Sequence, residues 1–391
     1  MKYNFDKVID RSGTSAEKVE GLKHIWGRTD LIPLWVADMD FATAPFVTDA
    51  IRKRCENEVL GYTGKPDSYY NAIINWVKQR YDLIVTKEVI NFVPGIVPCI
   101  GMAMNCFTQK GDKVMIQPPV YHPFAWVTTR NERTLVINPL RWENGMYRMD
   151  LDAFREQIKG CKLFILCNPH NPGGVVWTEA ELRAIADICY DEKVLVFSDE
   201  IHADLTLPPH THRPFATVSE KARMNSVTFM SPSKAFNMPG LSASHALIFN
   251  EDLRKRFRIY MDAGELDMGH VFAFLSVEAA YSHGTEWLDQ CLAYIQGNID
   301  FVDEFLKKHA PKIKAIRPEA SYLVWLDCRE LELSQKDLNE FFVDKAHLAL
   351  NDGEMFGKEG IGFMRLNVAS PRCIIEKAMK QLADAYQLYI K

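Results

Sequence analysis

The sequence predicts an α/β protein: a large unit on a mostly parallel seven-stranded sheet, followed by a smaller α+β unit at the C-terminal end. Three observations carry this. Between residues 89 and 283, seven short apolar, β-branched runs alternate with longer amphipathic ones, the pattern of parallel strands joined by crossover helices. Past residue 285 that alternation stops and a long amphipathic stretch begins. Finally, 391 residues are more than one hydrophobic core usually serves.

Taken in order, 89–93, 113–117, 134–137, 163–167, 194–198, 226–230 and 246–249 read as buried strands. The stretches 96–107, 178–190, 252–262 and 272–283 read as helices, with Thr178 as N-cap and Glu181 as its capping-box partner. A long helix over 286–308 leads to a strand at 321–327, a helix near 335–345, a strand near 362–368 and a last helix from Cys373. The expected division is an arm over 1–45 that packs with the small domain, a large domain over 46–285 and a small domain over 286–391.

Composition excludes several function classes. A net charge of −5 leaves no basic footprint for nucleic acid or an acidic membrane surface. No apolar run reaches the roughly 18 residues of a membrane helix, and MKYNFDKVIDRSGT lacks the apolar centre of a signal peptide. A cytoplasmic protein is therefore expected. The nine cysteines contain no C-x-x-C pair, which reads as free buried thiols without a zinc site. His210 and His212 in PPHTHRP are read as a solvated turn, since no acidic partner lies near them in sequence. No glycine-rich signature of nucleotide binding occurs.

In open α/β sheets, ligands gather at the carboxyl ends of the strands. There the polar residues collect. The run IQPPVYHPF ends in Tyr121, KLFILCNPHNPGG delivers Asn168 and Asn171, VLVFSDEIHADL delivers Asp199, Glu200 and His202, and SPSKAFNMPGLSAS follows 226–230 with Lys234. A lysine for an imine, a carboxylate for a ring nitrogen, donors for a ring oxygen and an aromatic face are what a pyridine-aldehyde cofactor requires.

These motifs resemble the fold-type I pyridoxal-phosphate (PLP) transferases of the class I/II aminotransferase group, and within it the MalY/PatB-type C–S lyases. WVADMDF, GYTG, VYHPF, NPHNP, SDEIHADL, SPSKAFNMPGL and FMRLNVASPR match in order, over about 340 residues. The resemblance implies that Lys234 carries the cofactor as a Schiff base and then moves protons. It implies that Asp199 pairs with the ring nitrogen, that Asn171 and His202 bond the ring oxygen, and that Tyr121 stacks on the ring. The phosphate falls to the amides of Ile96 and Val97, the hydroxyls of Ser231 and Ser233, and Tyr62 from a second subunit of a homodimer. Arg365 is expected to grip the substrate α-carboxylate through a planar fork, with the backbone near Ala37 and the side chain of Asn171 assisting. Asp38 is a candidate for a distal amino group, and Asp204 for a structural hydrogen-bonder.

The chain departs from the pattern at three places. Ser242 stands where many aminotransferases carry an arginine, Gly173 where threonine is common, and Ala320-Ser321 where a Gly-Thr pair is usual. The subgroup implies α,β-elimination from L-cystathionine or L-cysteine-type substrates to a thiol, pyruvate and ammonia. Transamination is the alternative that the residue chemistry leaves open. A third reading is a regulatory protein on the same fold, which in so acidic a chain would act through protein contacts.

Overall fold

A computed structural model describes residues 2–389. Seven strands form its main sheet: β1 (Ile90–Val93), β2 (Lys113–Ile116), β3 (Thr134–Ile137), β4 (Cys161–Cys167), β5 (Leu195–Asp199), β6 (Ser226–Met230) and β7 (Ser244–Leu247), in spatial order β1-β7-β6-β5-β4-β2-β3. All run the same way except β7, which pairs antiparallel with both β1 and β6. β5 and β6 are buried at every residue, so helices on both sides demand continuous apolar runs rather than alternation. β3, at the edge, is only partly buried.

The strands and helices read from the sequence are present, with shifts where a polar residue hid an end. β7 starts two residues earlier than expected, because Ser244 and His245 open it and pair with Val93 and Phe92. Thr178 caps its helix through the predicted box: its hydroxyl accepts from the Glu181 amide at 3.2 Å, and Glu181 Oε2 accepts from the Thr178 amide at 2.8 Å. The helix expected over 335–345 is α-helical only to Glu340, and its last five residues widen into a π-type turn. Helices Glu17–Trp26, Pro45–Cys55, Asp67–Tyr81 and Pro123–Arg130 were not foreseen, although Pro45 and Pro123 each stand in the helix's first turn, where proline is favoured.

A second sheet is antiparallel throughout: β8 (Lys314–Ile316), β9 (Leu323–Asp327), β10 (Asn351–Asp352) and β11 (Phe363–Asn367), in spatial order β8-β9-β11-β10. The 25-residue helix Thr285–His309 leads into it. The N-terminal segment lies against this part: Ile32–Pro33 pairs in parallel with Leu348–Ala349. The Asn367 amide donates to the carbonyls of Val36 and Asp38, each at 2.7 Å. One apolar cluster, from Phe5 and Phe41 through Trp76 and Trp287 to Leu366 and Tyr386, joins arm, main sheet and second sheet. All nine cysteines are free. Among the described residues, no helix is long and apolar enough to cross a membrane.

Candidate active site

Where β1, β2, β4, β5 and β6 end, their loops enclose a cavity of about 260 Å³ lined by Lys234, Asp199, Asn171, Tyr121, His202 and the first turn of helix Ile96–Phe107. Small-molecule pockets start at roughly 300 Å³, so it suits one compact ligand. Each wall residue follows directly from its strand. The alternation of side chains along β5 aims Asp199 into the cavity. Glu200 lies outside it, where it accepts from Ser198 Oγ, the Phe215 amide and His212, each at 2.8 Å.

Asp199 is buried, and one of its oxygens accepts from the Ile201 amide at 3.1 Å. Burial, reinforced by Glu200, pushes its pKa up to about 7 against the pull of Lys234. Lys234 Nζ donates to the Ala37 carbonyl, and burial plus the nearby Arg365 guanidinium lower its pKa to about 8. Asn171 spends its oxygen on Arg365 at 3.1 Å, which leaves its amide nitrogen as a donor. His202 is buried with Nδ1 unpartnered, and burial beside Lys234 and Arg365 holds its pKa near 3, so the ring is neutral. Tyr121 forms an aromatic wall, and burial raises its phenol pKa.

The phosphate end is built from backbone. Gly95 precedes the helix at φ +102°, a conformation only glycine adopts readily, and no side chain caps the helix. Pro98 has no N–H, so the Ile96 and Val97 amides are the free donors at the positive end of a 12-residue helix. The Ser233 side chain lines the cavity beside them, as does Ser242, at φ 47°.

Arg365, on β11, is buried, yet its hydrogen-bond partners are all neutral. It donates to Asn171 Oδ1 and the Trp35 carbonyl at 3.1 Å each and to Asn351 Oδ1, lies 4.8 Å over the Phe356 ring, and keeps Nε unpartnered. Among the described residues it forms no ion pair. Burial without an anion lowers its pKa to about 10. A desolvated cation of this kind is costly unless an anion completes it. Trp35, the first residue of the WVADMDF motif, belongs to the site through its carbonyl; Asn351 and Tyr322, whose hydroxyl reaches the Ala37 carbonyl at 3.0 Å, belong to it too but lie outside the matched motifs.

Three expectations change. The hydroxyl of Ser231 does not line the cavity; it is engaged by Ser233 at 2.7 Å and the Ala243 carbonyl at 2.9 Å, so it braces the lysine turn. Asp38 is held by Arg11 at 2.6 Å and faces Lys18 at 3.7 Å, so it is not free for a substrate amine. His212 is no solvated turn residue. It is buried and bonds Glu200 at 2.8 Å, because the loop folds back onto β5. His210 lies 3.7 Å from Glu319. Asp204 does act structurally, accepting from Trp76 Nε1 at 3.0 Å and from Tyr81. Tyr62 is 98% exposed in the single chain and outside the cavity. Gly173 also has its reason: a Cβ there would sit 2.9 Å from both His170 and Tyr147. Among the described residues no cluster suits a metal ion.

This donor set fits a phosphorylated pyridine aldehyde. The free amides suit the phosphate, the buried carboxylate suits a protonated ring nitrogen, the orphaned His202 and the Asn171 amide suit a ring oxygen, and Lys234 suits the aldehyde. The fit has a stability consequence. An Asp whose folded pKa is about 7, against about 3.9 unfolded, binds its proton more tightly when folded. Its penalty is absent below about pH 4, grows as pH rises and is complete above about pH 7, at a few kcal/mol. Asp199→Asn is thus expected to raise the melting temperature of the cofactor-free protein by several degrees at pH 8 and by less at pH 5. Equal changes at both pH values, measured by calorimetry, would contradict the assignment.

Comparison with known proteins gives the family. Residues 29–382 match the family model described as aminotransferase class I and II. Cystathionine beta-lyase PatB of Bacillus subtilis is 38% identical over 98% of this chain and 99% of its own length. The structure of cystalysin from Treponema denticola, which contains a pyridoxal 5′-phosphate cofactor, superimposes with a TM-score of 0.96 at 33% identity, covering 100% of both chains. The PLP-bound C–S lyase of Staphylococcus hominis gives 0.90 at 35% identity, over 98% of each chain. The present chain belongs to the class I and II aminotransferase family.

Proposed function

We propose that the chain is a PLP-dependent carbon–sulfur β-lyase that cleaves L-cystathionine or L-cysteine-type substrates to a thiol, pyruvate and ammonia. One observation carries the amino-acid part of this reading: buried Arg365, with neutral partners only, stands beside the cavity that holds Lys234 and Asp199. The similarity to the cystathionine beta-lyase PatB and to the PLP-bound C–S lyase of Staphylococcus hominis supports elimination over transamination.

Bound in the cavity, the cofactor supplies an aldehyde that captures amines and a ring that takes up electrons. The protein holds it through Lys234, with Asp199 on the ring nitrogen, Asn171 and His202 on the ring oxygen and Tyr121 over the ring face. Ile96, Val97, Ser233 and Ser242 hold the phosphate, with Tyr62 of a second copy. Arg365 and Asn171 seat the α-carboxylate; the Trp35 carbonyl accepts from Arg365 and the Ala37 carbonyl from Lys234, which fixes both cations in place. Lys234 Nζ, with its pKa near 8, has an appreciable neutral fraction at neutral pH and takes the proton from the substrate α-carbon. Cleavage of the Cβ–S bond releases the thiol, and water converts the three-carbon remainder to pyruvate and ammonia.

The reading includes a cytoplasmic homodimer. Val59, Leu60 and Tyr62 expose a contiguous apolar stretch, which a second copy would cover while adding Tyr62 to the site. Incubation of the PLP-loaded protein with L-cystathionine tests the activity. Equal amounts of thiol and pyruvate are expected with no keto acid added. Absence of both, with amino-group transfer once an α-keto acid is added, would replace the lyase by an aminotransferase.

A further inference from the structure

Six side chains from four parts of the chain close on one short segment, Trp35–Phe41. Five successive carbonyls there accept from side chains. Trp35 accepts from Arg365 at 3.1 Å, Val36 from Asn367 at 2.7 Å, and Ala37 from Lys234 and, at 3.0 Å, from Tyr322. Asp38 accepts from Asn367 at 2.7 Å and Lys18 at 3.2 Å, and Met39 from Asn237 at 3.0 Å. Extended backbone ordinarily satisfies its carbonyls on a neighbouring strand. The pairing of Ile32–Pro33 has ended here, and side chains take its place.

Two of the six donors are the cations of the site, Lys234 and Arg365. A hydrogen bond to the charged form of a group favours that form, so the position of this segment bears on both. Two amides fix that position. Asn367 stands two residues after Arg365 on β11, so both side chains leave one face of the strand. Its Oδ1 accepts from the Ala369 amide at 2.8 Å, which holds its nitrogen on the two carbonyls that flank Ala37. Asn237 stands three residues after Lys234, at φ 52°, a left-handed conformation that asparagine tolerates. Its Oδ1 accepts from the Met39 amide at 2.9 Å, and its nitrogen also donates to the Phe41 carbonyl at 2.7 Å. Neither amide lines the cavity.

We propose that Asn237 and Asn367 are positioning residues: by clamping Trp35–Phe41 they set the Ala37 carbonyl against Lys234 and the Trp35 carbonyl against Arg365, and so tie the proton-moving amine to the carboxylate seat. The inference rests on the lyase reading for the reaction assayed but not for the titration. In the cofactor-free full chain the Lys234 amine is free. Its rate of reductive methylation by formaldehyde and cyanoborohydride, followed by peptide mass spectrometry, gives the pH at which it loses its proton. A carbonyl that drifts away withdraws support from the ammonium. The midpoint is therefore expected to fall by about half a pH unit or more in Asn367→Ala and in Asn237→Gly, which keeps the left-handed backbone. Buried Asn138, which bonds Gln117 at 2.9 Å and Gln157 at 3.0 Å away from the segment, serves as the control. Asn138→Ala is expected to lower the melting temperature without moving the midpoint. In the PLP-loaded protein, kcat/KM for L-cystathionine is expected to fall at least about tenfold in both clamp variants, since a misplacement of about 1 Å can cost ~10²-fold. A midpoint equal to wild type in either clamp variant, or the same shift in Asn138→Ala, would overturn the proposal, as would an undiminished kcat/KM where wild type is active. If Asn367→Ala does not fold, half-buried Asn237 decides alone. If wild type releases neither thiol nor pyruvate, the lyase reading fails by itself and the midpoints still judge the clamp.

Discussion

Lys234→Ala is expected to lower kcat for thiol release by at least about 10⁴-fold, the upper range for loss of one proton-transfer group, without unfolding the protein. The physical reason is local. Lys234 follows β6 in a turn braced by Ser231 and Ser233, and its amine donates to the Ala37 carbonyl. Burial there disfavours its charged form, which makes the amine a base at neutral pH. Removing it takes away a desolvated cation rather than a packing element, so circular dichroism and melting temperature should stay near those of wild type. Adding ethylamine, which supplies a free amine to the space vacated, should restore part of the rate. A variant that keeps a tenth of the activity, or one that no amine rescues while its melting temperature falls by many degrees, would show the lysine to be structural.

Arg365→Ala is expected to raise KM for amino-acid substrates by about 10²–10⁴-fold, from the loss of two charge-assisted hydrogen bonds at about 1.5–3 kcal/mol each. The lysine variant separates charge from shape. It keeps a cation but cannot span the bidentate fork, nor hold Asn171, Asn351 and the Trp35 carbonyl together as the guanidinium does. Arg365→Lys should therefore still raise KM at least tenfold. A KM close to wild type in both variants would mean that the carboxylate binds elsewhere.

The sheet was legible because a parallel sheet covered on both sides forces continuous apolar strands, and β4, β5 and β6 show them. β7 was misplaced by two residues because its first two residues are polar. Helix Asp67–Tyr81, which bears Trp76 and Tyr81 toward Asp204, and the other early helices were passed over, since no strand alternation surrounds them.

The residues that bring chemistry to the cavity were named from sequence. Asp199, Asn171, Tyr121, His202 and Lys234 follow directly from strand ends, and the geometry of a parallel sheet sends those ends to one place. Their state was not legible. That Arg365 has only neutral partners, that Ser231 is spent on its own turn, that Asp38 is paired with Arg11 and that His212 folds back onto Glu200 all depend on chain contacts. Some of these, such as Arg365 with Trp35, join residues more than 300 positions apart. Local periodicity records which face of an element is apolar, and so determined the strands and their polar ends. Only packing decides which polar groups are left without partners, because that depends on every neighbour at once, and here it left Arg365 and His202 incomplete.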